Sequence, residues 1–154
     1  MTYPRIAGFT GLAAVACLVF SAPAWSASVQ LTTRNKAPLG TYLTDAAGRT
    51  VYMFTADKPN QSNCTGACTG PWPPVLTTGA PEAGNGVEAS GLGTIKRGNE
   101  MQVTFQGKPL YYFANDKGAG ATSGEGINHF GGSWYVVSPD GKGILPDGKP
   151  IPAG

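Results

Sequence analysis

The sequence predicts an all-β protein: a small single domain built from two related β-hairpin repeats, with Gly/Pro-rich loops and one short-range disulfide. Three observations carry this reading. Gly occurs 23 times and Pro 13 times in 154 residues, and a helix interior loses about 1 kcal/mol to each Gly and about 3 to each Pro. The pattern Gly-basic-x-apolar-Tyr-x-Phe-x-x-Asp-Lys occurs at residues 48–58 and again, without gaps, at 107–117. Between the copies lie Cys64 and Cys68, two of only three cysteines. Hydrophobic residues at 41% and aromatics at 10% supply one small core. A net charge of +2 without a basic run lacks the electrostatic footprint of a nucleic-acid binder.

The elements follow in order. Residues 1–26 read as a signal peptide: a basic start with Arg5, an uncharged apolar run over 6–20, then small residues. The run is shorter than the roughly 20 residues that span a bilayer. Small-x-small cleavage after Ala24 or Ser26 places the mature N-terminus between Trp25 and Ser28. Cys17 lies inside the apolar run and not at its end, so cleavage is favoured over a lipid anchor there. Residues 27–38 are read as an N-terminal extension, 39–145 as the β domain, and 146–154 as a Pro/Gly-rich tail. The mature chain is expected to carry no transmembrane span.

Within the domain, aromatic and apolar residues at 51–54 follow a turn signal at Asp45-Ala46-Ala47-Gly48 and predict a strand. Tyr52 and Phe54 are two apart, so their rings share one face. Asp57 then falls in the exit turn, where a carboxylate accepts backbone N–H groups. Residues 101–105 alternate, and Gln106-Gly107-Lys108 turns the chain back into 110–113, predicting a hairpin in which Tyr111, Phe113 and Asp116 repeat the same roles. Trp134-Tyr135-Val136-Val137 predicts another strand and a weaker third echo of the motif. Residues 77–91 and 117–126 read as loops.

The chemistry-bearing residues are few. Cys64-x-x-x-Cys68 spans a loop short enough for a disulfide, which would contribute roughly 2 kcal/mol as a staple. The alternative is periplasmic redox or metal handling by the Cys64/Cys68 pair with His129, the single histidine. Asp57 and Asp116 suit turn capping; acid–base chemistry or a hard cation is the competing use. Tyr52, Phe54, Tyr111 and Phe113 suit an inward strand face. Trp72, Tyr112, His129 and Trp134 are the candidate ligand contacts, Tyr112 because it faces away from its neighbours. The glycine run at 118–124 has neither the spacing nor the following helix of a phosphate loop. No catalytic residue, metal or cofactor is assigned.

Tyr52-x-Phe54-x-x-Asp57 and Tyr111-x-Phe113-x-x-Asp116, with Ser62-Asn63-Cys64-Thr65-Gly66-Ala67-Cys68 and Trp72-Pro73-Pro74 between them, resemble a known family. It is the bacterial "secreted repeat of unknown function", also described as predicted lipoproteins with a Y-x-(F/W/Y)-x-x-D motif. The Gly-rich stretch 118–132 and Trp134 resemble its tail, so the likeness covers about residues 39–139. Cys17 lacks the leucine-led lipobox. The resemblance implies an exported β-repeat protein and no reaction. The expectation is a non-catalytic binding or structural module of the cell envelope, periplasmic or extracellular, whose partner is an unknown envelope protein, a glycan or a small ligand.

Overall fold

The computed structural model describes residues 27–152; the expected signal peptide and Cys17 lie outside them. The chain forms ten strands: β1 (Gln30–Lys36), β2 (Gly40–Asp45), β3 (Tyr52–Phe54), β4 (Leu76–Thr77), β5 (Glu82–Ala83), β6 (Leu92–Arg97), β7 (Glu100–Phe105), β8 (Lys108–Pro109), β9 (Asn128–His129) and β10 (Gly132–Val136). Two short 3₁₀ turns, Gly66–Thr69 and Ala89–Gly91, are the only helical segments among the described residues. The strands make three small sheets, ordered β2-β1-β5, β3-β10-β9 and β4-β7-β6, with β8 also on β7. The expected all-β, two-repeat architecture with one disulfide is what the chain adopts.

The two copies of the motif meet at Tyr52 and Tyr111, which exchange both backbone hydrogen bonds at 2.8 and 3.0 Å. On either side the contacts come in matched pairs, as about an approximate two-fold axis. Antiparallel β1–β2 matches antiparallel β6–β7. Leu43 N–H donates to Val137 O, and Val103 N–H to Val75 O, both at 2.8 Å. Thr55 N–H donates to Ser133 O at 3.0 Å, and Ala114 N–H to Pro71 O at 2.9 Å. These pairs carry an unexpected consequence. The segment that follows the first motif, residues 72–77 ending in β4, adds to the second repeat, and β10, which follows the second motif, adds to the first. The repeats exchange their last strands within one chain. Residues 134–137 are therefore the counterpart of Trp72-Pro73-Pro74-Val75, and not a third copy of the tyrosine motif.

The alternation of side chains along the motif strands builds two cores at once. Tyr52 and Phe54 enter one, with Trp72, Tyr111, Trp134, Val136, Cys64 and Cys68. Val51 and Met53 point the other way into a second, with Leu31, Leu43, Val75, Val103, Phe105, Leu110 and Val137. The strand is buried on both faces, which explains its run of apolar residues. The hairpin at 100–109 turns through Gln106 and Gly107, with φ of 46° and 75°, the two-residue geometry that matches strand twist.

Three boundaries differ from the sequence reading. Residues 27–38 are not an extension: β1 pairs with β2 over six registered positions and buries Leu31. Its other side chains are polar and mostly exposed, so it carries little hydrophobic signal. The chain beyond 145 folds back, with Leu145 N–H on Lys149 O at 2.7 Å and Ile151 N–H on Gly143 O at 2.9 Å, and Ile151 packs on the second core. The 77–91 loop contains β5, which pairs in parallel with β1.

Gly124 shows how closely the first core is filled. A Cβ there would stand 2.8 Å from Trp72 Cη2 and 3.0 Å from Tyr52 Cζ, whereas one at Gly118 would meet nothing within 4 Å. Gly124→Ala is expected to lower stability by about 1–3 kcal/mol, the range for overpacking, and Gly118→Ala to change it by less than about 0.5. Denaturant unfolding of the two variants checks this.

Candidate functional site

Each motif aspartate sits in its exit turn, with Asp57 N–H on Phe54 O and Asp116 N–H on Phe113 O, both at 3.1 Å. One carboxylate oxygen of each caps the following loop, as the sequence suggested. Asp57 Oδ1 accepts Asn63 N–H at 2.6 Å, and Asp116 Oδ1 accepts Ser123 N–H at 2.8 Å. The second oxygen does what the sequence did not reveal. Tyr52 Oη donates to Asp116 Oδ2 and Tyr111 Oη to Asp57 Oδ2, each at 2.7 Å. Every tyrosine is thus bonded to the aspartate of the other repeat.

The phenols are fully buried. Burial, reinforced by the neighbouring carboxylate, pushes both well above the ordinary tyrosine range, so each holds its proton and donates. Burial also raises Asp57, opposed by its bonds from Asn63 and Tyr111. A cation from the opposite repeat ties each loop. Arg97 on β6 donates to Ser62 Oγ at 2.8 Å and Cys64 O at 2.5 Å, and Ser62 Oγ shares a 2.7 Å bond with Tyr111 Oη. Lys36 on β1 donates to Gly120 O at 3.2 Å and Thr122 Oγ1 at 3.0 Å. Sequence reasoning missed both cations; they lie outside the repeated eleven residues and differ in residue type.

Between the tyrosines four rings stack in the order Phe54, Trp134, Trp72, Phe113. The centroid separations are 4.1, 3.9 and 4.4 Å, and the two indoles lie 3° from parallel. Tyr52 meets Trp72 edge-on at 5.4 Å, and Tyr111 meets Trp134 at 5.1 Å. Such pairs add about 0.5–1.5 kcal/mol each beyond their buried area. Trp72 at 1% exposure and Trp134 at 0% are therefore core residues, which corrects their reading as candidate ligand contacts. Tyr112 is also not a free surface group. Its hydroxyl donates to Asp45 Oδ2 at 3.0 Å, and the Arg49 guanidinium lies over its ring at 3.9 Å.

Cys64 and Cys68 form the expected disulfide, with Cα atoms 5.3 Å apart, and both are buried. His129 is exposed at the end of β9, beside Phe130 in the turn to β10. Among the described residues no three His, Cys, Asp or Glu side chains gather as metal ligands. What the motif leaves accessible is a pair of matched clefts. One, of about 150 Å³, is lined by Phe54, Asp57, Lys58, Gly107 and Lys108. The other, of about 280 Å³, is lined by Phe113, Asp116, Lys117, Arg49 and Tyr112. Each lies between the exit turn of one repeat and the hairpin turn of the other.

The family described as "secreted repeat of unknown function" matches residues 33–76 and 93–138. The chain belongs to that family. No curated protein and no solved structure matches it. Each matched unit of this secreted-repeat protein opens inside a first strand, β1 or β6, and closes with the strand given to the other repeat. The family is one of exported repeats, and no helix among the described residues is long and apolar enough to cross a membrane.

The reciprocal bonds set the expected coupling. Removing either phenol takes the donor from a half-buried carboxylate oxygen, so Tyr52→Phe and Tyr111→Phe should each lower stability by about 1–2 kcal/mol. In double-mutant cycles with Asp→Asn, Tyr52 should couple to Asp116 more strongly than to Asp57, although Asp57 is the closer in sequence.

Glu125 supplies a pH dependence. Its Oε2 accepts Val136 N–H at 2.7 Å, while Oε1 is buried with no partner. Burial raises the carboxyl from the ordinary range to about 7, partly offset by the Val136 bond. The folded chain therefore holds a proton that the unfolded chain releases. This contribution to stability is complete below about pH 4.5 and is lost as pH rises through about 7. Glu125→Gln should gain about 1–2 kcal/mol relative to wild type between pH 5 and pH 8, after allowance for solvent screening. Urea unfolding at the two pH values measures it.

Proposed function

We propose that this secreted-repeat protein is a non-catalytic module of the bacterial cell envelope that binds a glycan or other small ligand of the envelope through its two matched clefts. The supporting observation is the reciprocal pair Tyr52–Asp116 and Tyr111–Asp57. It employs the polar atoms of the motif in joining the repeats, and each aspartate oxygen already has a donor. Around that joint the matched clefts offer an aromatic edge from Phe54 or Phe113, with Lys58 and Lys108 or Lys117 and Arg49 beside it. An apolar ring edge flanked by N–H donors is suited to a hydroxyl- or carboxylate-bearing ligand, which offers one apolar face and several acceptors. The Cys64–Cys68 disulfide supports the same reading by fixing the loop that Arg97 grips.

Melting temperature followed against cell-envelope glycan fragments is expected to rise saturably with at least one of them. Lys58→Ala combined with Lys117→Ala should weaken that ligand by about tenfold, while leaving the ligand-free melting temperature near wild type. A saturable rise untouched by the double variant removes the clefts as the site. Turnover of a fragment, abolished by Asp57→Asn in protein that remains folded, overturns the non-catalytic reading.

A further inference from the structure

The aromatic core holds more than a packing argument requires. Apolar burial alone would be served by leucine or phenylalanine, whereas this core sets two buried phenols against two half-buried carboxylates at its rim, and even partial desolvation of a carboxylate is unfavourable. We propose that Tyr52, Trp72, Trp134 and Tyr111 form a hole relay, in which a one-electron vacancy created on the paired indoles passes to a tyrosine whose proton moves to the aspartate of the other repeat. This goes beyond the binding function and does not depend on it.

Four features of the geometry support the relay. The indoles of Trp72 and Trp134 lie 3° from parallel with centroids 3.9 Å apart, so their π systems overlap and a positive charge is shared by two rings. Phe54 and Phe113 cover the outer faces, which keeps water from a radical formed there. Tyr52 and Tyr111 touch the pair edge-on, one on each indole. Each phenol already donates a 2.7 Å hydrogen bond to a carboxylate that a backbone N–H holds in place. A phenol gives up an electron readily only when its proton leaves with it, so a fixed acceptor on the hydroxyl is what the step requires.

The reagent is an outer-sphere one-electron oxidant, which takes an electron and no atom. Phe54 lines one cleft and Phe113 the other, so an oxidant in either is separated from the nearest indole by a single stacked ring. The oxidant gains one electron and the indole pair becomes a radical cation. The indoles then recover an electron from the tyrosine, and the phenolic O–H bond breaks as its proton forms a new O–H bond on aspartate. The pair Tyr–OH and Asp–COO⁻ ends as Tyr–O• and Asp–COOH, one electron lost and no proton exchanged with solvent. Tyr112 is an internal control: it too donates to a carboxylate, Asp45, but it lies outside the ring stack.

Flash-quench oxidation of the mature protein by photogenerated tris-bipyridyl ruthenium(III), followed by transient absorption and freeze-trapped electron paramagnetic resonance, tests the relay. The expected record is a tryptophan radical that converts to a neutral tyrosyl radical, more slowly in D₂O. In Tyr52→Phe combined with Tyr111→Phe the tryptophan radical should persist without conversion. In Asp57→Asn combined with Asp116→Asn conversion should slow by about a hundredfold. The phenylalanine variants keep every ring, and the D₂O comparison needs no variant, so the test survives if the asparagine pair does not fold. A tyrosyl radical that forms equally in the double phenylalanine variant, and so resides on Tyr42, Tyr112 or Tyr135, overturns the proposal. So does a wild type whose tryptophan radical decays without producing a tyrosyl one.

Discussion

The fold depends on the exchange at Tyr52 and Tyr111. Their backbone bridge aligns the repeats, their rings close the stack from its two edges, and their hydroxyls reach the opposite aspartates. A repeat that gives away its last strand cannot complete its own sheet, because β10 must lie beside β3 and the 72–77 segment beside β7. Neither repeat buries its indole alone, since Trp134 stacks on Phe54 and Trp72 on Phe113, each across the joint. Cooperativity between the halves is therefore built in, because each of the two cores draws residues from both repeats and neither belongs to one repeat alone.

How much of this was legible follows from the range of each contact. The motif copies were visible because a repeat needs only self-comparison, and the strand faces were visible because alternation is local. The capping bonds of Asp57 and Asp116 were also local, reaching Asn63 and Ser123. The tyrosine partners were not, because Tyr52 and Asp116 are 64 residues apart and identical motifs permit either pairing. Trp72-Pro73-Pro74-Val75 does not read as a strand, since proline withholds a ladder donor. It nevertheless occupies the place that Trp134-Tyr135-Val136-Val137 fills on the other side. For the same reason the sequence leaves Trp72 and Trp134 as candidate ligand contacts: nothing nearby in sequence indicates that two distant indoles stack on each other.

The two halves differ where their loops return to the stack, and each difference has a physical partner. After Asp57 the loop carries the Cys64–Cys68 disulfide, and Arg97 holds it through Ser62 and Cys64. After Asp116 the loop has no disulfide and relies on fit: Gly124 lies against Trp72 and Tyr52 with no room for a side chain. Pro74 has no N–H to satisfy, while at the equivalent place Val136 does, and Glu125 accepts from it. That last solution introduces a carboxyl with one buried, unpartnered oxygen, which has no counterpart beside Pro74.

These differences bear on what the joint can do. A purely structural joint between repeats tolerates asymmetry in its loops provided that the stack and its edges stay matched, and here they match to within a few tenths of an ångström in every ring separation. The clefts outside the stack are matched in place and in their motif residues but differ in the cations beside them: one presents Lys58 and Lys108, the other Lys117 with Arg49 already engaged by Asp45 and lying over Tyr112. Arg49 is held at 2.7 Å by a carboxylate that is itself nearly buried, so it is less available to a ligand than the two lysines opposite. The Phe54 side thus presents two lysines where the other presents one lysine and an arginine already paired. The stack is matched where it joins the halves, and the two repeats diverge in the rims and loops around it.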